Sequence, residues 1–455
     1  MTVTLRLPQA IHDELLEMAR DRVETGAVLL ASPEDGTGAL IGTALIPVPD
    51  DAYVSRTDRA LEISSDGYVH ALKSARDRHH LAIWVHSHPG DSADPRASHF
   101  DAKVNVQLRE LFAERTETGH YGYLIVAHDH GALTFTGSIT GATEEPITTL
   151  ATIGEHWSFR PASDVTTPID FDLFDRNIRA LGEQIQTTLA GLTIAVVGVG
   201  GTGSAVAEQL TRLGVRKLIL IDPDTLSLAN TTRVYGSTPR DVGRAKVDVL
   251  GDHLERIADG VTATRIPGAI VNETVARRLL EADIVFGCTD DNAGRVRLSR
   301  LPYYHLIPVI DCGVRLDADS SDTISGIFGR ATTVYPGAAC LICRDRVDLA
   351  LADAEVRSID DQQRLETEGY APALPGAEPA VVAFTTLVAA TAVSELIERL
   401  VGYGEAPTPT ELLLLVHDRA VRTNIETPRL GHYCDPTRSP VGTDRDMFLG
   451  LNWAS

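Results

Sequence analysis

Cysteine is scarce in this chain: five among 455 residues. That is too few for a disulfide framework, and the simplest compartment for such a protein is a reducing cytoplasm. Positive charge is also short, with 41 Lys and Arg against 63 Asp and Glu and a formal net charge of −22. Such a surface excludes a nucleic-acid backbone as the main partner, although a nucleotide site needs only a local group of cations. No basic leader followed by an apolar run opens the sequence, so no secretory signal is expected. The least polar stretches, such as VVAFTTLVAATAV, fall short of a bilayer span, and no membrane partner is expected. Internal repeats and low-complexity segments are missing too.

What is present is enough chain for two or three domains. The first part alternates short apolar runs with helical patterns. Residues 11–23 read as a helix, GAVLLAS (26–32) and ALIGTALIPV (39–48) as strands, 67–79 as a helix and LAIWVHS (81–87) as a strand. A helix starts at Ser98, and YGYLIVAHD with ALTFTGSI suggests a hairpin (121–139). Residues 143–170 lack periodicity and carry Pro161 and Pro168, so a linker is expected there, between domains at 1–142 and 171–455. The second part changes to LTIAVVG, KLILID, ADIVFGC and IPVIDCG, separated by helical segments. Those runs suit buried parallel strands of a doubly wound α/β sheet. A long buried helix is expected over 380–403.

Two constellations carry chemistry. His86 and His88 alternate at a strand end and point to one side. Asp101 falls in the first turn of the next helix, and zinc in hydrolytic sites takes three protein ligands. Glu24, between the first helix and a strand, is a candidate general base, and Ser98 a candidate donor to an oxyanion. Ser98 also reads simply as a helix cap with Asp101 at its third position. Together, Glu24-Thr25-Gly26, His86-Ser87-His88-Pro89 and Ser98-His99-Phe100-Asp101 resemble the JAMM motif of the JAB/MPN metalloproteases. The resemblance implies an α+β protease domain. It further implies a catalytic Zn²⁺ on His86, His88 and Asp101, Glu24 as base, Ser98 as oxyanion stabiliser, and cleavage after the C-terminal glycines of ubiquitin-like proteins. The loop from His88 to Ser98 is longer than that family's usual pattern.

Farther on, Gly198-Val199-Gly200-Gly201-Thr202-Gly203 joins a strand to a helix, a phosphate-cradling arrangement common to NAD and ATP enzymes. Asp222 ends the next strand. Asp224, Asn230, Arg233 and Lys246 follow, a group of cations that hydride transfer does not need but loss of pyrophosphate does. Asp290, in Cys288-Thr289-Asp290, suits Mg²⁺. These stretches, with Arg176-Asn-Ile-Arg179 upstream, resemble the ThiF/MoeB superfamily, the adenylating core of ubiquitin-activating enzymes. The resemblance implies ATP and Mg²⁺, adenylation of the C-terminal glycine of a ubiquitin-like or sulfur-carrier β-grasp protein, and a homodimer in which Arg179 reaches the neighbour's ATP site. Cys340 and Cys343 form a CxxC. With Cys434 and His432 they would make a structural Zn²⁺ site of the kind this superfamily often carries; a redox pair is the alternative. Cys288 and Cys312 read as buried thiols. The segment 367–381, where some relatives carry a reactive cysteine, has none, so adenylation without an obvious thioester is expected. The combined expectation is a bifunctional enzyme, peptidase and adenylyltransferase. The alternatives are an adenylating enzyme for a peptide or small carboxylate and a scaffold that only binds ubiquitin-like folds.

Overall fold

A computed structural model describes residues 3–34, 36–165, 167–318, 324–357, 380–438, 440–442 and 447–453. The segment 367–381 therefore lies almost wholly outside the described residues. The chain divides into two compact units, Met1–Thr166 and Thr167–Ser455. Among the described residues no helix is long and apolar enough to cross a membrane.

The first unit is a sheet bent into a ring. Its strands are β1 (Val3–Pro8), β2 (Gly26–Pro33), β3 (Ala39–Pro47), a small separate pair β4 (Tyr53–Arg56) and β5 (Leu61–Ile63), then β6 (Leu81–Asp91), β7 (Tyr121–Asp129), β8 (Ala132–Thr140), β9 (Glu144–Ile153) and β10 (Trp157–Pro161). The order is β1-β3-β2-β6-β7-β8-β9-β10, and β1 also pairs in parallel with β9, which closes the ring. Residues 143–170 are thus no simple linker. Leu150, Ala151 and Ile153 are buried there, and the backbone groups of β9 are satisfied by β1 and β10. The stretch reads as irregular because threonines replace part of its apolar alternation.

Alternation along β2 and β6 builds two cores. Leu29, Ile83 and Val85 face the helix Gln9–Arg20 through Ile11, Leu15 and Ala19. Val28, Leu30, Ala82 and Trp84 face the helices Asp66–Arg78 and His99–Thr116 through Leu72, Ala75 and Phe112. Residues of even number on β6 therefore point toward the helix that begins after Ser98.

The second unit holds β11 (Thr193–Val197), β12 (Lys217–Ile221), β13 (Thr262–Ile266), β14 (Ile284–Gly287), β15 (Val309–Ala318), β16 (Ile324–Val334), β17 (Glu411–Leu415) and β18 (Ala420–Asn424). Their order is β13-β12-β11-β14-β15-β16-β17-β18. The first five are parallel and doubly wound, as expected; the last pairings are antiparallel. Strands β13 and β18 do not read as short apolar runs, because Thr262, Thr264 and Arg265 break the first and Arg422, Thr423 and Asn424 the second. The long helix spans Val382–Val401.

Candidate functional site

In the first unit the pairing Gly26↔His86 sets the geometry. Carried two residues on, it puts Glu24 beside His88. His86 and His88 share the even face with Trp84, and Ser98 starts the helix His99–Thr116 on that same side. The nitrogen and oxygen atoms of His86, His88 and Asp101 converge within 4.8 Å. Nε2 of His86 lies 3.3 Å from Asp101 Oδ1, and Nε2 of His88 lies 3.5 Å from Oδ2. Both ring nitrogens of His86 are buried and make no hydrogen bond. An imidazole left so, facing a carboxylate and a second imidazole, fits a divalent metal.

Burial opposes ionisation of Asp101, yet the close-facing imidazoles of His86 and His88 hold its carboxyl well below the usual range. Glu24 is buried, and that burial pushes its carboxyl up against the pull of His86 and His88. Ser98 and Asp101 do form the capping box: Ser98 Oγ accepts from the Asp101 amide at 3.1 Å, and Asp101 Oδ2 accepts from the Ser98 amide at 2.6 Å. One carboxylate thus caps the helix and faces both histidines. The long loop is tied down. β6 extends to Asp91, which pairs with His128 at 2.9 Å, and Thr134 Oγ1 donates to the Ser92 carbonyl at 2.6 Å.

In the second unit Val197 is in register with Ile221 and Gly287, so the loops after β11, β12 and β14 emerge together at the switch point of the sheet. They line a cleft of about 980 Å³. Gly198 adopts φ +83°, and a Cβ there would meet the Cys288 carbonyl at 2.7 Å. At Gly203 a Cβ would lie 1.9 Å from the Gly198 carbonyl oxygen, so helix and loop close only around glycine. Asp222 is buried, which raises its carboxyl against the pull of Lys246, and its Oδ2 accepts from the Val199 amide at 2.8 Å. Lys246 Nζ reaches Asp224 at 2.7 Å and Asp222 at 3.7 Å. Gly198, Gly200, Gly201, Asp222, Asp224, Arg233, Lys246 and Asp290 all line the cleft.

Asn230 and Arg179 do not line it. Asn230 Oδ1 accepts from the Ser227 amide at 3.0 Å and fixes the turn that carries Arg233. Arg179 is exposed on the helix Asp175–Leu181 and pairs with Asp175 at 2.8 Å. Sequence reasoning passed over Asp311 and Arg330, which meet through the pairing of β15 with β16, and Arg295 of the helix Asn292–His305, which reaches the same aspartate. Arg330 sits opposite Gly313 across β15 and β16.

The four remaining predicted ligands also meet. The ligand atoms of Cys340, Cys343, His432 and Cys434 lie within 4.8 Å of one another. His432 Nδ1 is 3.5, 3.4 and 3.2 Å from the sulfurs of Cys340, Cys343 and Cys434. The thiols are buried and titrate apart: a hydrogen bond with Cys434 takes Cys340 down to about 4, while the same contact and burial push Cys434 up. Three sulfurs and one imidazole nitrogen at these separations fit tetrahedral zinc.

A profile of the ThiF family matches residues 174–432, more than half of the chain. The chain belongs to the ThiF family. The molybdopterin-synthase adenylyltransferase of Escherichia coli K12 is 29% identical over 162 residues, which are 36% of this chain and 62% of that protein. The tRNA threonylcarbamoyladenosine dehydratase of Bacillus subtilis is 42% identical over 86 residues, 19% of this chain and 33% of its own. Ubiquitin-like modifier-activating enzyme 5 of Oryza sativa is 30% identical over 195 residues, 40% of this chain and 42% of its own. The chain thus spans less than two thirds of the length of these ThiF-family relatives. Among solved structures, Escherichia coli MccB with MccA-N7isoASN superposes with a TM-score of 0.47 and 16% identity over 59% of this chain and 75% of that one.

Proposed function

We propose that the ThiF-type unit adenylates the C-terminal glycine of a ubiquitin-like or sulfur-carrier β-grasp protein, and that the first unit cleaves at that same C-terminus. The single observation behind the first half is the convergence of the glycine loop, Asp222, Asp224, Arg233, Lys246 and Asp290 on one cleft. Backbone amides at the start of the helix Gly201–Arg212 would hold phosphates. Asp222 would take the ribose, and Asp290 the magnesium. A substrate carboxylate oxygen attacks the α-phosphorus, the bond to the bridging oxygen breaks, and pyrophosphate leaves. Arg233 and Lys246 offset the charge that builds on it. Asp224 at 2.7 Å and Asp222 at 3.7 Å position the Lys246 ammonium at the cleft. Arg179, solvent-exposed in the single chain, fits the arginine that a second copy would insert, and a homodimer is part of this reading.

For the first unit, zinc on His86, His88 and Asp101 would supply Lewis acidity toward the scissile carbonyl and water. Glu24 takes the proton of the attacking water and returns it to the leaving nitrogen. The Ser98 hydroxyl, whose oxygen already accepts from the Asp101 amide, still has its proton to donate to an oxyanion. The assignment of the two activities to the units Met1–Thr166 and Thr167–Ser455 and all these residue roles belong to the proposal, as does a cytoplasmic setting.

The test is incubation of the chain with ATP, Mg²⁺ and β-grasp proteins encoded beside it. Pyrophosphate and an adenylated partner of the expected mass should form, and Lys246→Ala should slow formation by roughly 100-fold. No adenylate with any such partner would overturn the reading.

A further inference from the structure

The wall of the cleft formed by β15, β16 and β17 carries a second feature. The pairings Asp311↔Thr332, Gly313↔Arg330 and Arg315↔Phe328 put these residues on one face, and Arg330↔Leu413 and Phe328↔Leu415 extend that face to β17. Arg330 lies across β15 at the one position without a side chain. A Cβ at Gly313 would come 3.1 Å from its Nη2. That passage lets Nη2 reach Asp311 at 2.7 Å, while Nη1 donates to Thr332 at 2.9 Å. Asp311 is fully buried and is shared with Arg295, whose Nε is 3.6 Å away and whose Nη1 donates to the Asp290 carbonyl at 3.4 Å. Two guanidiniums on one carboxylate leave a net positive charge beside the proposed magnesium ligand.

Adenylation brings two anions together, a carboxylate and a triphosphate. A fixed cation on the approach lowers that repulsion, and a planar guanidinium matches a carboxylate in two-point geometry. Asp311 and Thr332 engage part of the Arg330 fork, and its side chain is 12% exposed toward the cleft. Next to it on the same face, Phe328, Leu413 and Leu415 offer an apolar track.

We propose that Arg330, laid across Gly313 and anchored by Asp311, binds the C-terminal carboxylate of the acyl substrate before it attacks ATP. This rests on the adenylation reading above and names the subsite that reading leaves open.

The test uses the full chain with Mg²⁺ and α,β-methylene-ATP, and a fluorescein-labelled hexapeptide ending in Gly-Gly, as the free acid and as the C-terminal amide. Anisotropy should show the acid bound about tenfold more tightly than the amide. Arg330→Gln should erase that preference, Arg330→Lys should keep part of it, and calorimetry should find affinity for the ATP analogue unchanged in both. Analogue binding also reports folding; should the glutamine variant lose it, the lysine variant decides. Preference retained in full by the glutamine variant, or no preference in the wild type, overturns the proposal. Weaker analogue binding with the acid preference intact also overturns it, because Arg330 would then serve phosphate. Absence of analogue binding by the wild type would instead sink the adenylation reading itself.

Discussion

Among the described residues are two sets of metal-fitting side chains, one in each unit, and they differ in number and in cover. His86, His88 and Asp101 offer three ligands, and only His86 of the three is buried. Cys340, Cys343, His432 and Cys434 offer four, and the three cysteines are all buried. A three-ligand set leaves a coordination position for substrate, while a four-ligand set of sulfurs closes the shell. The neighbours agree with the donors. Beside the open set stands Glu24, a buried carboxyl whose affinity for a proton is raised. Around the closed set pack Tyr303, Leu341 and Tyr433. On the proposed reading, donor count and surroundings suit one set to chemistry and the other to architecture.

The largest effect that would break this contrast is loss of fold. Cys343→Ser should release zinc from the second unit and destabilise it by several kcal/mol, because binding energy at a closed site is folding energy. Thermal unfolding would show the loss, and ATP binding should vanish with it. His88→Ala should empty the first site while leaving the second unit's melting unchanged. Elemental analysis should find two zinc ions per wild-type chain and one in each variant. Equal losses of fold from both variants would remove the distinction.

Next in size is a catalytic effect without a structural one. Glu24→Gln should lower cleavage of a β-grasp precursor extended beyond its Gly-Gly by about 10²–10⁴-fold. Zinc content and pyrophosphate formation should stay at wild-type levels. Unchanged cleavage would remove Glu24 as the base of the open set and leave that set without the neighbour that sets it apart.

The same contrast shows what a sequence discloses. Local patterns were readable: the glycine loop between β11 and its helix, the parity of His86 and His88, the capping pair Ser98 and Asp101. Each depends on residues within a few positions of one another. The ring closure was not readable, because it joins Val3–Pro8 to Glu144–Ile153 through pairings such as Leu5↔Leu150, and β9 and β10 lack a clean alternation. Nor was the arginine wall: Asp311 and Arg330 are separated by a hairpin, and only the register that seats Arg330 over Gly313 gives either a role. The Cys₃His set lay between these cases. Its CxxC half was local, and the resemblance to the ThiF/MoeB superfamily pointed to the distant His432 and Cys434.

The smallest effect separates the two duties of Ser98. If the serine only caps its helix, Ser98→Ala should cost about 1 kcal/mol of stability in the first unit. Ser98→Asp and Ser98→Asn, which also cap well, should then restore cleavage as well as stability. If the hydroxyl also serves the oxyanion, the alanine variant should lose turnover well beyond its loss of stability. Aspartate should then recover the melting temperature but not the rate. The two readings make different forecasts because the capping box uses only the oxygen of the hydroxyl, as acceptor from the Asp101 amide. Its proton is the part available for chemistry, and an ionised aspartate, which caps but only accepts, cannot supply it, whereas an asparagine amide can. Full rescue by aspartate would reduce Ser98 to a support for Asp101 and leave the open set with Glu24 as its one chemical partner.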